Sequence, residues 1–168
     1  MFNNVGTVGG GWNTNGFSEG GSAGYTLDNL KFDNNVFIAA TGSGANPISA
    51  IQIPGSGTTT NVEVKNNIIT NFNSAISTGH SGGKITGVNI ANNILYNNGT
   101  KFSWAGTVPS FSESNTITSN PLFVSSSDFH LQSGSPAINA GVNVGLTSDY
   151  VGNAIVGTPD IGAYDSGL

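Results

Sequence analysis

The sequence predicts an all-β chain of stacked parallel β-helix rungs, and three observations predict it. An Asn-Asn-apolar motif recurs along the chain. The residues on either side of each motif alternate with the two-residue period of a half-buried strand. Glycine is abundant, at 25 of 168 residues, while charged residues make up only 8%. That balance suits a fold made of many tight turns whose surface is covered by Asn, Ser and Thr.

The motif occurs at Asn3-Asn4-Val5, Asn34-Asn35-Val36, Asn66-Asn67-Ile68 and Asn92-Asn93-Ile94, and Ser119-Asn120-Pro121-Leu122 reads as a degraded fifth copy. Unequal spacing around a constant motif implies loops of variable length on a constant rung. Before the Asn pairs come Leu30-Lys31-Phe32, Val62-Glu63-Val64 and Val88-Asn89-Ile90. After them come Val36-Phe37-Ile38, Ile68-Ile69-Thr70 and Ile94-Leu95-Tyr96. A third strand is expected at Ala50-Ile51-Gln52-Ile53, Ala75-Ile76-Ser77 and Lys101-Phe102-Ser103. Three short strands per repeat give about four to five rungs, in which like residues stack in columns about 4.8 Å apart. The Asn pairs then form a turn ladder, since stacked Asn side chains bond their neighbours and Asn tolerates a left-handed bend. The same alignment stacks Lys31 on Glu63 and Asp33 on Lys65, two ion pairs that fix register, each worth about 0.2–1 kcal/mol.

The first Asn pair lacks a preceding strand, so Met1 is expected to be an internal start within a longer chain. Gly6–Gly24, with Trp12 and Phe17, is expected to be a long rung loop. Residues 1–119 read as rungs and residues 120–168 as the last rung and a C-terminal cap. In the cap, Ser135 suits a helix N-cap, Pro136 the first helical position and Gly141 the stop, which predicts one helical turn over the last rung.

The closing text is specific: Asn120-Pro121-Leu122-Phe123, Phe129-His130-Leu131, Gly134-Ser135-Pro136-Ala137-Ile138-Asn139-Ala140-Gly141 and Pro159-Asp160-Ile161-Gly162-Ala163-Tyr164. This run, over roughly residues 120–165, resembles the ending of bacterial exported right-handed parallel β-helix proteins of pectate-lyase-like architecture. The resemblance implies a right-handed coil and a secreted or cell-surface setting. It does not imply an activity, because fold does not give function.

Composition excludes several function classes. The net charge is −5, with four lysines and no arginine, which leaves no basic patch for nucleic acid or an anionic membrane surface. No apolar run is long enough for membrane insertion. There is no cysteine, hence no disulfide or thiolate metal site.

A uronate lyase of this architecture needs a proton-abstracting base and a cation to neutralise the substrate carboxylate. The resemblance places its cleft on the column of Ile51, Ile76 and Phe102, where the outward residues are Gln52, Ser77 and Ser103. These neutral residues suit substrate binding better than acid–base work. His80, in a Gly-His pair, and Lys84 are the catalytic candidates, as base and carboxylate-binding cation. Asp149, Asn153 and Asp160 are the residues a calcium ion would use; Asx turns are the alternative employment. Trp12, Tyr25, Tyr96 and above all Trp104 are candidates for stacking on sugar rings.

The leading expectation is a non-catalytic scaffold segment of an exported bacterial protein, joined to further β-helix rungs and binding extracellular polysaccharide. One alternative is the C-terminal part of a polysaccharide lyase or glycoside hydrolase with its active site on upstream rungs. Another is an adhesin or phage tail-spike fragment.

Overall fold

The computed structural model describes residues 4–8, 16–17, 24–40, 48–79 and 82–168. These residues form twelve strands and no helix: β1 (Val5–Val8), β2 (Thr26–Asp28), β3 (Lys31–Asp33), β4 (Val36–Ala39), β5 (Ser49–Ile53), β6 (Thr58–Lys65), β7 (Ile68–Thr70), β8 (Ser74–Thr78), β9 (Lys84–Ala91), β10 (Ile94–Tyr96), β11 (Thr100–Ser103) and β12 (Phe111–Ser114). They pair in parallel in three sheets. The first contains β2 and β3 beside β6, then β9 and β12; the second runs β1-β4-β7-β10; the third runs β5-β8-β11. The three central repeats each supply all three sheets, an arrangement compatible with a β-helix.

The expected columns form. Ile51, Ile76 and Phe102 are in register, as are Gln52, Ser77 and Ser103. Phe17, expected in a loop, pairs with Ile51 and so adds to this column. Its ring lies edge-on to Phe32 at 4.7 Å, which anchors it to the core.

The two members of each Asn pair have different tasks. The first makes the corner: Asn34, Asn66 and Asn92 all take φ near 55°, where the short polar side chain is tolerated. The second is buried and builds the ladder. Asn35 Nδ2 donates to Asn67 Oδ1 at 2.9 Å, and Asn67 Nδ2 donates to Asn93 Oδ1 at 3.0 Å. The fifth copy lies at Asn115-Thr116-Ile117 and not at 119–122. Asn115 takes φ 53° and Ile117 bridges Ile94. Thr116 has no amide, so the inner ladder ends there.

One expected ion pair is replaced. Lys31 meets Glu63 at 3.4 Å, but Lys65 turns along its own strand to Glu63 at 3.0 Å. Its hydrogen bond holds the Glu63 carboxyl below the ordinary range. Asp33, in register with Lys65, is fully buried, and neither of its carboxylate oxygens accepts a hydrogen bond.

The C-terminal segment also departs from expectation. Residues 136–139 form turns, because Asn139 takes φ 56° and cannot carry a helix onward. Ser135 does act as a local cap, its Oγ accepting the Ala137 N–H at 3.1 Å. The segment covers the flank of the second sheet. Val5, Val36, Ile68, Ile94 and Ile117 form one outward apolar column. Ala137, Ile161 and Ala163 bury its central residues, while Phe37, Ile69 and Leu95 point the other way into the main core. The second strands therefore read as continuous apolar runs because both faces are covered.

At the far end of the stack, Phe102, Trp104 and Phe111 form an aromatic cluster beside the core. Glu113 is in register with buried Ile90, an inward position, and pairs with Lys101 at 2.9 Å. An inward charge is a recognised way to stop further strand addition.

At Gly162 the backbone of the flank packs directly on the sheet. The φ of Gly162 is +111°, and a Cβ there would lie 2.8 Å from Ile68 Cδ1. Its N–H donates to the Asn66 carbonyl at 2.8 Å. Gly162→Ala is expected to destabilise by about 2 kcal/mol through backbone strain and overpacking. A denaturant midpoint equal to that of the unaltered chain would refute this.

Candidate functional site

The groove of interest lies where the flank leaves the second sheet. In β4, β7 and β10 the outward side chains alternate with the core residues, so Ile38, Thr70 and Tyr96 fall in one outward column. The strands end there because Asn71 and Asn97 turn the chain with φ of 69° and 53°. Asn97 Nδ2 donates to Asn71 Oδ1 at 2.7 Å, which repeats the ladder on the surface.

Pro121, Phe123 and Phe129 supply the opposite wall. Together with Asn71, Asn120, Ser125 and Ser126 they enclose about 380 Å³ over the Ile38–Thr70–Tyr96 floor. The wall is a small antiparallel hairpin, with Phe123 bridging Leu131. Val124 N–H donates to the His130 carbonyl, and Gln132 N–H to the Leu122 carbonyl, both at 2.9 Å. Leu122 takes φ 55°, a strained choice for leucine. Its N–H is held by Asn120 Oδ1 at 2.9 Å, and its neighbours Pro121 and Phe123 both face the groove. Phe123 and Phe129 pack edge to face, with centroids 5.4 Å apart.

The hairpin is tied at its tip. Ser125 Oγ accepts the Asp128 N–H at 3.0 Å, and Asp128 Oδ1 lies 2.6 Å from His130 Nδ1. The hydrogen bond to His130 keeps the Asp128 carboxyl below its ordinary value. The His130 ring in turn packs on Tyr164, with centroids 4.2 Å apart. These contacts fix Phe129, which sits between Asp128 and His130 in the chain.

Among the residues expected to form a site, Gln52, Ser77 and Ser103 do share a column. The column is uneven: Gln52 is half-buried against Gly79, Ser77 is buried with its Oγ unpartnered, and Ser103 is exposed. Trp104 stands apart, stacked on Phe102 at an interplanar angle of 10° and touching Phe111. Lys84 opens β9. It lines a shallow trough of about 390 Å³ with Tyr25 and the Ser56-Gly57-Thr58 turn. His80 and Trp12 lie outside the described residues.

Asp149, Asn153 and Asp160 hold the final loops together. Asp149 Oδ1 accepts the N–H groups of Val151 and Asn153 at 3.1 and 2.8 Å. Asp160 Oδ1 accepts from Asn139 N–H and Oδ2 from Ser166 N–H, both at 2.7 Å. The described residues contain no group of three or more His, Asp or Glu side chains placed to hold a metal ion.

Of the groove residues, Tyr96 was visible in sequence as a sugar-stacking candidate; Phe123 and Phe129 were not singled out. Their signal was the aromatic pair flanking a Ser-rich turn, Phe123-Val124-Ser125-Ser126-Ser127-Asp128-Phe129. Comparison with protein-family models, curated proteins and solved structures finds no match to this chain.

Proposed function

We propose that the chain is a right-handed parallel β-helix scaffold segment of an exported bacterial protein, and that it binds extracellular polysaccharide in the Tyr96–Phe123–Phe129 groove. The β-helix reading is supported by three parallel sheets fed in turn by the three central repeats, and by the buried Asn35–Asn67–Asn93 ladder. One observation carries the binding reading: three aromatic rings line a concavity whose other polar side chains are amides and hydroxyls. Aromatic faces cover the C–H side of a sugar ring, and amides and hydroxyls exchange hydrogen bonds with its hydroxyl groups.

Tyr96→Ala is expected to weaken oligosaccharide binding at least about tenfold, the loss of one well-packed aromatic contact of about 1.4 kcal/mol or more. Tyr96→Phe keeps the ring and is expected to retain most of the affinity. Titration calorimetry against a panel of soluble oligosaccharides measures both. Binding unchanged in Tyr96→Ala, or no binding across the panel, would reject the groove as the site.

A further inference from the structure

Resting on that reading of the groove, we infer that its ligand is a neutral glycan built of pyranose rings, and that polyuronates are excluded. Among the described residues, no charged side chain lines the groove. Its polar complement is Thr70, Asn71, Tyr96, Asn120, Ser125 and Ser126, all uncharged groups that match hydroxyls. A carboxylate placed on the apolar floor would lose hydration without gaining a cation, which is costly.

The positions of the lysines make the exclusion specific. All four are described. Lys31 and Lys65 are engaged by Glu63, and Lys101 by Glu113. Lys84 lines the trough beside Tyr25, Gly82 and Gly83, which shares no residue with the groove. Beside the groove wall stands Asp128, adjacent to Phe129, with its backbone N–H donating to Ser125 Oγ and its carboxyl held below the ordinary value by the hydrogen bond to His130. Its partner His130 is its only titratable contact on the hairpin, and Tyr164 is the titratable residue packed behind that pair. On a chain of net charge −5, this field repels a polyanion and leaves a neutral chain unaffected.

The volume, about 380 Å³, is near the lower end of ligand sites and accommodates a short stretch of a chain. The rings of Tyr96 on the floor and of Phe123 and Phe129 on the wall then contact ring faces from two sides.

The test titrates the full chain at pH 7 with cello-, xylo- and manno-oligosaccharides and with oligogalacturonate. At least one neutral series is expected to bind, to lose affinity in Tyr96→Ala, and to be insensitive to salt. Oligogalacturonate is expected to bind at least about tenfold more weakly. Ser126→Lys, at an exposed rim position, is expected to narrow that gap by supplying the missing cation. Oligogalacturonate binding as tight as the best neutral ligand, and lost in Tyr96→Ala, would overturn the specificity while leaving the groove in place. Binding of either class that is indifferent to Tyr96→Ala, or no binding of either, would overturn both readings.

Discussion

Asn67→Ala is expected to lower the free energy of unfolding by about 3–5 kcal/mol. Asn67 is completely buried, and its side chain joins three repeats. Its Oδ1 accepts from the backbone N–H and the side-chain amide of Asn35, at 3.1 and 2.9 Å. The two hydrogens of its Nδ2 are shared among the carbonyls of Phe32 and Lys65, at 2.7 and 2.9 Å, and Asn93 Oδ1. Alanine removes all of these at once and orphans buried groups on both sides, so the loss exceeds that of one ordinary hydrogen bond. Asn67→Asp should be at least as damaging, because a carboxylate cannot donate to the Phe32 and Lys65 carbonyls and is itself buried. Asn97→Gly is the control: Asn97 is exposed at φ 53°, a conformation glycine accepts freely. It should cost less than about 1 kcal/mol. Chemical denaturation of the three variants measures the ranking, and an Asn67→Ala midpoint as small in shift as that of Asn97→Gly would refute the ladder's role.

The strand columns were legible in sequence because each rests on short-range alternation repeated at a recognisable motif. Lys31 on Glu63, and Ser77 on Ser103, follow from aligning the Asn pairs alone, whereas Gln52 joins Ser77 through the matching Ala50-Ile51 and Ala75-Ile76, because the loop before it is longer. The flank was not legible. The residue after each Asn pair, Val36, Ile68 or Ile94, reads as apolar whether it points into the core or out beneath a covering segment. Only the long-range contacts of Ile161 and Ala137 distinguish these cases. The fifth repeat was misplaced for a related reason: the motif lost its second Asn to Thr116, and Asn120 offered a nearer textual match than Asn115.

The groove was half legible. Tyr96 was marked by residue type, but its position beside Phe123 and Phe129 depends on the hairpin folding back toward Asn71 and Thr70. No periodic pattern encodes that return. The aspartates Asp149 and Asp160 suit both metal ligation and loop fastening, because both uses need the same residue in the same kind of turn. Their hydrogen bonds to backbone N–H groups show the fastening role.

Asp33→Asn is expected to stabilise the chain at neutral pH, by up to about 3 kcal/mol, and to do nothing comparable below pH 4. Burial, and then the nearby charge of Glu63, push the Asp33 carboxyl from 3.8 up to about 6, against the opposing pull of Lys65 and Lys31. The folded state therefore holds a proton on Asp33 over a range in which the unfolded chain has released it. Stability contributed by this group is greatest below about pH 4, falls as pH rises through the window to about 6, and is level above it. Asparagine resembles the protonated acid in size and charge, so the difference between the variant and the unaltered chain isolates Asp33 from the other carboxylates. Glu63 and Glu113 work in the opposite sense: both are held below their ordinary values, so their contributions fade as pH falls below about 4.5. Glu63→Gln should lower the Asp33 pKa by removing the neighbouring negative charge, but it also frees Lys65 to turn toward Asp33, its partner in register. That second step would make the ion pair that alignment of the repeats alone would form. Thermal unfolding of all three proteins from pH 4 to pH 8 tests the scheme, and a pH-independent difference between Asp33→Asn and the unaltered chain would exclude a titrating Asp33.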